Sequence, residues 1–234
     1  KNAPKVPYQI DKKNFSETHF EMLKKLELSF KDQKKLLVFC KKLNIEFIST
    51  PFDITSALFL KKIGVNIIKI SSGDLTDLPL HETISKFNKE VIISTGMSNM
   101  FEIKRTLNLY KNKNKISLLH CVSNYPSSIE NQNLNAIKSM KKKFKCRVGY
   151  SDHTIGDLAS IIAVTNGAEV IEKHITLDNN MSGPDHKASM ELRDFYSFVY
   201  KLKNIVVTQG KHEKKCQKEE LQSKKISRKS LYFS

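Results

Sequence analysis

Six short apolar runs, each closed by polar residues, constrain this chain more than any other feature. They are IEFIST (45–50), NIIKIS (66–71), VIISTG (91–96), ISLLHC (116–121), RVGYSD (147–152) and EVIEKHI (169–175). Runs of this length and content suit buried parallel strands. Between them, 54–63, 101–110, 134–144 and 158–166 carry apolar residues at helical spacing. Two helices are expected before the first run, the second capped by Ser29, and a last helix over 191–207. A strand–helix rhythm of this kind predicts an α/β fold with a parallel sheet.

Two architectures share that rhythm, a doubly wound open sheet and a (β/α)8 TIM barrel. The polar strand ends discriminate between them: Ser49-Thr50, Ser71-Ser72, Ser94-Thr95, His120-Cys121, Ser151-Asp152-His153, and Glu172 with His174. In a barrel, all C-terminal strand ends ring one mouth, where active sites sit. In an open sheet only the ends near the switch point meet. Six loaded ends therefore favour the barrel. A closed barrel takes eight strands, so two are expected to precede residue 1. The expected organisation is a partial TIM-barrel domain over 1–210 and a basic tail over 211–234.

Charge and cysteine usage narrow the function. The formal net charge is +16, from 40 Lys+Arg against 24 Asp+Glu. The lysines are dispersed rather than set in a stripe with aromatics, which argues for a solvated surface and against a nucleic-acid-binding module. The four cysteines are far apart and form no Cys-x-x-Cys pair. No disulfide framework or zinc site is expected, and a reducing cytoplasm is the default. No apolar run is long enough to span a membrane.

The ionisable residues inside the runs point to chemistry. His153 and His174 end consecutive strands, and neighbouring strands lie about 4.8 Å apart. Two imidazoles at one height could share a divalent cation, Mn2+ or Mg2+ before Zn2+. Period-2 alternation puts Glu172 on the face of His174, one step deeper, and Lys173 on the other. The bland alternative is a pair of buried, hydrogen-bonded histidines. Lys69 interrupts an apolar strand, which is costly without a partner. With Ser72-Gly73-Asp74 after it and STGMS (94–98) on the next strand, it suits a phosphate or carboxylate. Tyr125, in HCVSNYP (120–126), either meets a polar ligand at the mouth or packs on its own loop. His19, His81 and His212 have no suitable neighbours in sequence and are expected at the surface.

Together, FISTPFD, KISSGD, IISTGM, LLHCVSNYP, GYSDHT, VIEKHIT and MSGPDHKAS resemble the N-acetylneuraminate (sialic acid) synthase family and its legionaminic acid relatives. The resemblance runs in order across essentially the whole chain. It implies a metal-dependent barrel followed by an antifreeze-like domain, working as a homodimer. The implied reaction condenses phosphoenolpyruvate with an N-acetylated hexosamine, N-acetylmannosamine or a 2,4-diacetamido relative, and releases phosphate. By resemblance, His153 and His174 are metal ligands. Thr50, Lys69, Ser72, Ser94 and Ser151 contact phosphoenolpyruvate, while Tyr125, Asp185 and Asn2 stand near the sugar. Glu172 and Asp74 supply acidic groups for proton handling, and Ser123 replaces an Asn of some members. The family's opening strands, with a catalytic Glu and a substrate-binding Lys, have no counterpart in the sequence. The chain on its own is therefore expected to be inactive or poorly folded.

Two other enzyme readings remain open on the residues. One is a class I aldolase with Lys69 or Lys173 as Schiff-base lysine. The other is a pseudaminic acid synthase-type paralogue, because a few residues at the mouth decide sugar choice.

Overall fold

The computed structural model describes residues 4–5, 9–10 and 17–229. Its centre is a curled sheet of six parallel strands: β1 (Ile48–Ser49), β2 (Ile67–Ile70), β3 (Glu90–Ser94), β4 (Ile116–Cys121), β5 (Arg147–Asp152) and β6 (Ile171–Lys173). Spatial order equals chain order, and every neighbouring pair is parallel. This is an α/β half-barrel.

Among the described residues, eight helices wrap the sheet or flank it. They are α1 (His19–Leu26), α2 (Phe30–Lys42), α3 (Ile54–Lys62), α4 (Leu78–Ser85), α5 (Met100–Leu107), α6 (Ala136–Phe144), α7 (Leu158–Thr165) and α8 (Leu192–Gln209). Local chemistry sets several starts. Ser29 accepts from the Asp32 N–H at the head of α2, and Asn99 with Glu102 forms a reciprocal capping box at the head of α5. A short α9 (Leu221–Ser227) lies in the tail, all of its residues exposed.

Strand alternation divides the sheet into two faces. Ile68, Ile70, Val91, Ile93, Leu118, Val148 and Tyr150 pack against Leu80, Ile84, Ile103, Leu107, Ile137 and Ala163 of the helices. Burying each large aliphatic side chain contributes about 1.5–3 kcal/mol. The other face carries Lys69, Ser94, Ser151 and Glu172. At Gly149 on β5 the backbone of the neighbouring strand comes very close: a Cβ there would lie 2.2 Å from the Val170 carbonyl oxygen.

The structure departs from the sequence expectations in four places. The run at 45–50 gives only a two-residue strand, with Ile45 and Ile48 exposed. The run at 169–175 breaks at His174; Ile175–Thr176 (β7) leaves the sheet and pairs in parallel with Met190–Glu191 (β8). Helix α4 carries Pro79 in its first turn and is short, so its periodicity is weak. His81, expected at the surface, is fully buried in α4. Its Nε2–H donates to the Asp74 carbonyl and its Nδ1 accepts from the Tyr110 hydroxyl at 2.7 Å. Tyr110 is 29 residues away in the chain, which is why local sequence does not reveal the burial. Among the described residues, no helix is long and apolar enough to cross a membrane.

Candidate active site

The inward face of β2, β3, β5 and β6 carries one continuous line of polar contacts. Lys69 Nζ donates to Ser94 Oγ at 2.7 Å and lies 3.5 Å from Glu172 Oε2. Glu172 Oε1 accepts from Ser151 Oγ at 2.7 Å. Ser151 and Glu172 are register partners on β5 and β6, so the sheet itself holds this contact. Ser151 Oγ also lies 3.2 Å from His153 Nε2. The side chain of Lys69 is only 11% exposed, so a carboxylate beside it offsets part of its desolvation.

His153 is buried and fixed at its other nitrogen. Its Nδ1–H donates to the Val122 carbonyl at 2.7 Å, so the neutral ring carries its lone pair on Nε2. The Ser151 hydroxyl has a single proton, and donation to Glu172 leaves that lone pair without a hydrogen. Burial pushes the His153 pKa below the usual histidine value, and His174 nearby acts in the same direction. A neutral imidazole with its outer nitrogen anchored on a carbonyl is the arrangement metal-ligating histidines use. The His153 and His174 rings lie 5.7 Å apart, edge to face, and Tyr125 packs against both, at 4.0 and 5.3 Å between ring centroids. The donor set fits a cation held by two imidazoles. Among the described residues no third His, Cys, Asp or Glu completes a cluster, so water or substrate would fill the remaining positions.

A second group of polar atoms gathers beside this line. Ser72 Oγ accepts from the Gly96 N–H at 3.0 Å and lies 3.2 Å from Cys121 Sγ. A Cβ on Gly96 would collide with Ser123 Oγ at 2.2 Å and approach Ser72 Oγ at 2.9 Å. Gly96 thus lets two hydroxyls and a thiol converge at the ends of β2, β3 and β4, a setting suited to anion oxygens. Asp74 sits in the turn after β2, where Ser71 Oγ donates to it at 2.5 Å and burial raises its carboxyl pKa.

Other residues singled out in the sequence stand farther out. Asp185 Oδ2 is 4.0 Å from His174 Nδ1, in the loop between β7 and β8. Thr50 directly follows β1, one step beyond the Ser49↔Ile68 pair, and lines an open groove with Phe20, Leu23, Leu28 and Phe30. Asn2 lies outside the described residues.

Sequence reasoning missed Gln132 and Asp152. Gln132 is buried, accepts from the Tyr150 hydroxyl at 2.6 Å and donates to Ser127 Oγ at 2.8 Å, which ties the Tyr125 loop to β5. Its position in a polar loop gave no periodic signal. Asp152 belongs to a polar strand end in sequence, yet it is buried on the helix side of the sheet, where Ser160 of α7 donates to it.

The sequence profile of the NeuB family matches residues 1–214. An N,N'-diacetyllegionaminic acid synthase of Campylobacter jejuni subsp. jejuni serotype O:2 is 47% identical over 233 residues, covering 98% of this chain and 70% of that protein. A crystal structure of N-acetylneuraminic acid (sialic acid) synthetase from Leptospira borgpetersenii serovar Hardjo-bovis, in complex with citrate, superposes with a TM-score of 0.83 at 34% identity, over 92% of this chain and 76% of that one. A truncated 3-deoxy-D-arabino-heptulosonate 7-phosphate synthase from Thermotoga maritima shares the fold, with a TM-score of 0.67 at 18% identity over 79% of this chain and 74% of that one.

Proposed function

The chain belongs to the NeuB family, and from that premise we propose that it carries the barrel part of a synthase joining phosphoenolpyruvate to an N-acylated hexosamine aldehyde. The products are a nine-carbon sialic-type acid and inorganic phosphate. The observation that carries this reading is the unbroken contact line Ser94–Lys69–Glu172–Ser151–His153 along one inward face. It sets an ammonium and hydroxyls next to a carboxylate and an imidazole, as a doubly anionic donor and a polar acceptor require. The N,N'-diacetyl name of the Campylobacter relative supports a 2,4-diacetamido sugar. We read the six strands as part of a (β/α)8 TIM barrel, with β1 and β6 as the edges that two further strands would join. The active form is read as a homodimer in the cytoplasm.

Each residue has a task in this reading. Lys69, Ser72 and Ser94 hold the anionic groups of phosphoenolpyruvate and fix the direction of attack. Thr50 and Ser123 border the same end. Tyr125 and Asp185 face the sugar. Glu172, held by Lys69 and Ser151, stands where it can take or return a proton at the reacting carbons, and Asp74 orders the turn that presents Ser72. A divalent cation on His153 and His174, Mn2+ or Mg2+, would supply Lewis-acid polarisation of the aldehyde.

The test supplies phosphoenolpyruvate with N-acetylmannosamine or its 2,4-diacetamido relative and follows phosphate, with and without a chelator. It is run on this chain and on the longest open-frame product that contains it. Phosphate release that needs both substrates and falls with chelator is the expected result. Borohydride trapping of pyruvate on Lys69, without phosphate release, would replace this reading with a Schiff-base aldolase.

A further inference from the structure

Behind the two histidines, on the helix side of the sheet, lies a buried ion pair that the reaction does not touch. Lys173 Nζ is 3.1 Å from Asp152 Oδ2, with side chains only 2% and 0% exposed. Asp152 is fully engaged: Ser160 Oγ donates to Oδ2 at 2.6 Å, and the Thr154 N–H and Oγ–H both donate to Oδ1 at 2.8 Å. Lys173 Nζ donates as well to the Thr154 carbonyl at 2.6 Å. Thr154 is thus gripped at its N–H by one partner and at its carbonyl by the other.

The position of this pair in the ladder is what matters. The β5–β6 register runs Tyr150↔Ile171, Ser151↔Glu172, Asp152↔Lys173 and stops there. His153 and His174 are the next residues on each strand, the first ones beyond the ladder. No ladder pairing joins them, and β7 departs right after His174 to pair with β8. Other segments hold their carbonyls, with the Ser127 N–H on His153 and the Met190 N–H on His174, so the last place where β5 and β6 join directly is the pair below them. A buried ion pair is a poor source of net stability compared with apolar packing. Its value lies in direction and distance, which greasy side chains specify less sharply.

We propose that the Asp152–Lys173 pair is a positioning device that sets the spacing of His153 and His174 and thereby the affinity of the two-histidine site for a divalent cation. The proposal rests on the two-histidine reading above and adds the residues that make it work. Lys173 here never meets substrate; it acts through the strand end it fixes.

The test is Mn2+ affinity of the chain itself, read by electron paramagnetic resonance of free Mn2+, together with far-UV circular dichroism and thermal melts. Lys173→Met and Asp152→Asn should each weaken Mn2+ binding about 10–100-fold, the range for residues that orient metal ligands. Lys173→Arg, which keeps the charge, should recover part of the loss. Ser160→Ala removes one donor from Asp152 without unpairing a charge. It should fold and weaken Mn2+ binding several-fold, so the proposal stays testable if the ionic variants fail to fold. Lower melting temperatures with Mn2+ affinity within about threefold of the unaltered chain would show a purely structural pair and overturn the proposal. His153→Ala separates the two levels. If it abolishes binding while the pair variants bind normally, the positioning role alone fails. If the unaltered chain binds no Mn2+, or His153→Ala binds as before, the two-histidine reading itself fails and takes the proposal with it.

Discussion

Tyr125 packs its ring on His153, centroids 4.0 Å apart and tilted by 32°, on a loop that Gln132 ties down to β5. The same imidazole is held from its other edge by the Val122 carbonyl. One histidine is thereby fixed in plane and in direction by a single excursion of chain after β4. Tyr125→Ala should release the ring and lower turnover, while Tyr125→Phe keeps the packing. The aromatic contact is worth about 0.5–1.5 kcal/mol. A kinetic comparison of the two variants checks this. Equal losses would move the role from the ring to the hydroxyl.

Lys69→Met should fold, because the side chain already lies along a strand face among β-sheet neighbours. It leaves Ser94 and Glu172 without their cation. Turnover should fall about 10²–10³-fold, as for loss of one preorganised charge-stabilising group. Phosphate release at saturating sugar is the readout, with a thermal melt as the control for folding.

Gly149→Ala should be among the most destabilising small substitutions on β5. The new Cβ would meet a backbone carbonyl at 2.2 Å, and backbone cannot rotate away. A cost of about 3 kcal/mol is expected for such overpacking, or a fall of roughly 6–12 °C in melting temperature for a domain of this size. Gly96→Ala provides the contrast, since its nearest atom is a serine hydroxyl that can turn aside. Calorimetry of both variants should rank them in that order.

His81 gives a pH signature of stability remote from the mouth. Burial pushes its pKa down from 6.5 to about 4, against a smaller upward pull from the Asp74 carbonyl. The unfolded chain takes up this proton first as pH falls. The stability present above pH 6.5 is therefore lost progressively down to about pH 4, by about 3 kcal/mol in total. Urea midpoints at pH 7, 5.5 and 4.5 measure the loss. His81→Phe should flatten that part of the profile, and an unchanged slope would assign it to other groups.

Much of this was legible in the sequence because it is local. Four of the six strand runs hold their places closely, and Ser29 caps α2 as its side chain predicts. Period-2 alternation placed Glu172 and His174 inward and Lys173 outward before any partner was known. What stayed hidden depends on register and long-range contact. Nothing around Lys173 announces that Asp152 is its ladder partner, because pairing is decided by the sheet as a whole. His81 looked like a surface residue for the same reason: its partners, Tyr110 and the Asp74 carbonyl, reach it only once α4 has docked. The break after Lys173 is likewise a tertiary event, since Ile175–Thr176 find their partner in Met190–Glu191 rather than in the sheet.

The sheet's spatial order has a consequence for how the molecule is made. Each strand pairs with the one synthesised just before it, so the sheet can extend along the nascent chain without waiting for a distant segment. His153 is in place when β5 leaves the ribosome, but His174 stands at the far end of β6. The two imidazoles can meet only when the sixth strand has joined the others. Competence to hold a cation would thus arrive at the end of sheet assembly, and cation capture by ribosome-bound chains of increasing length would time it.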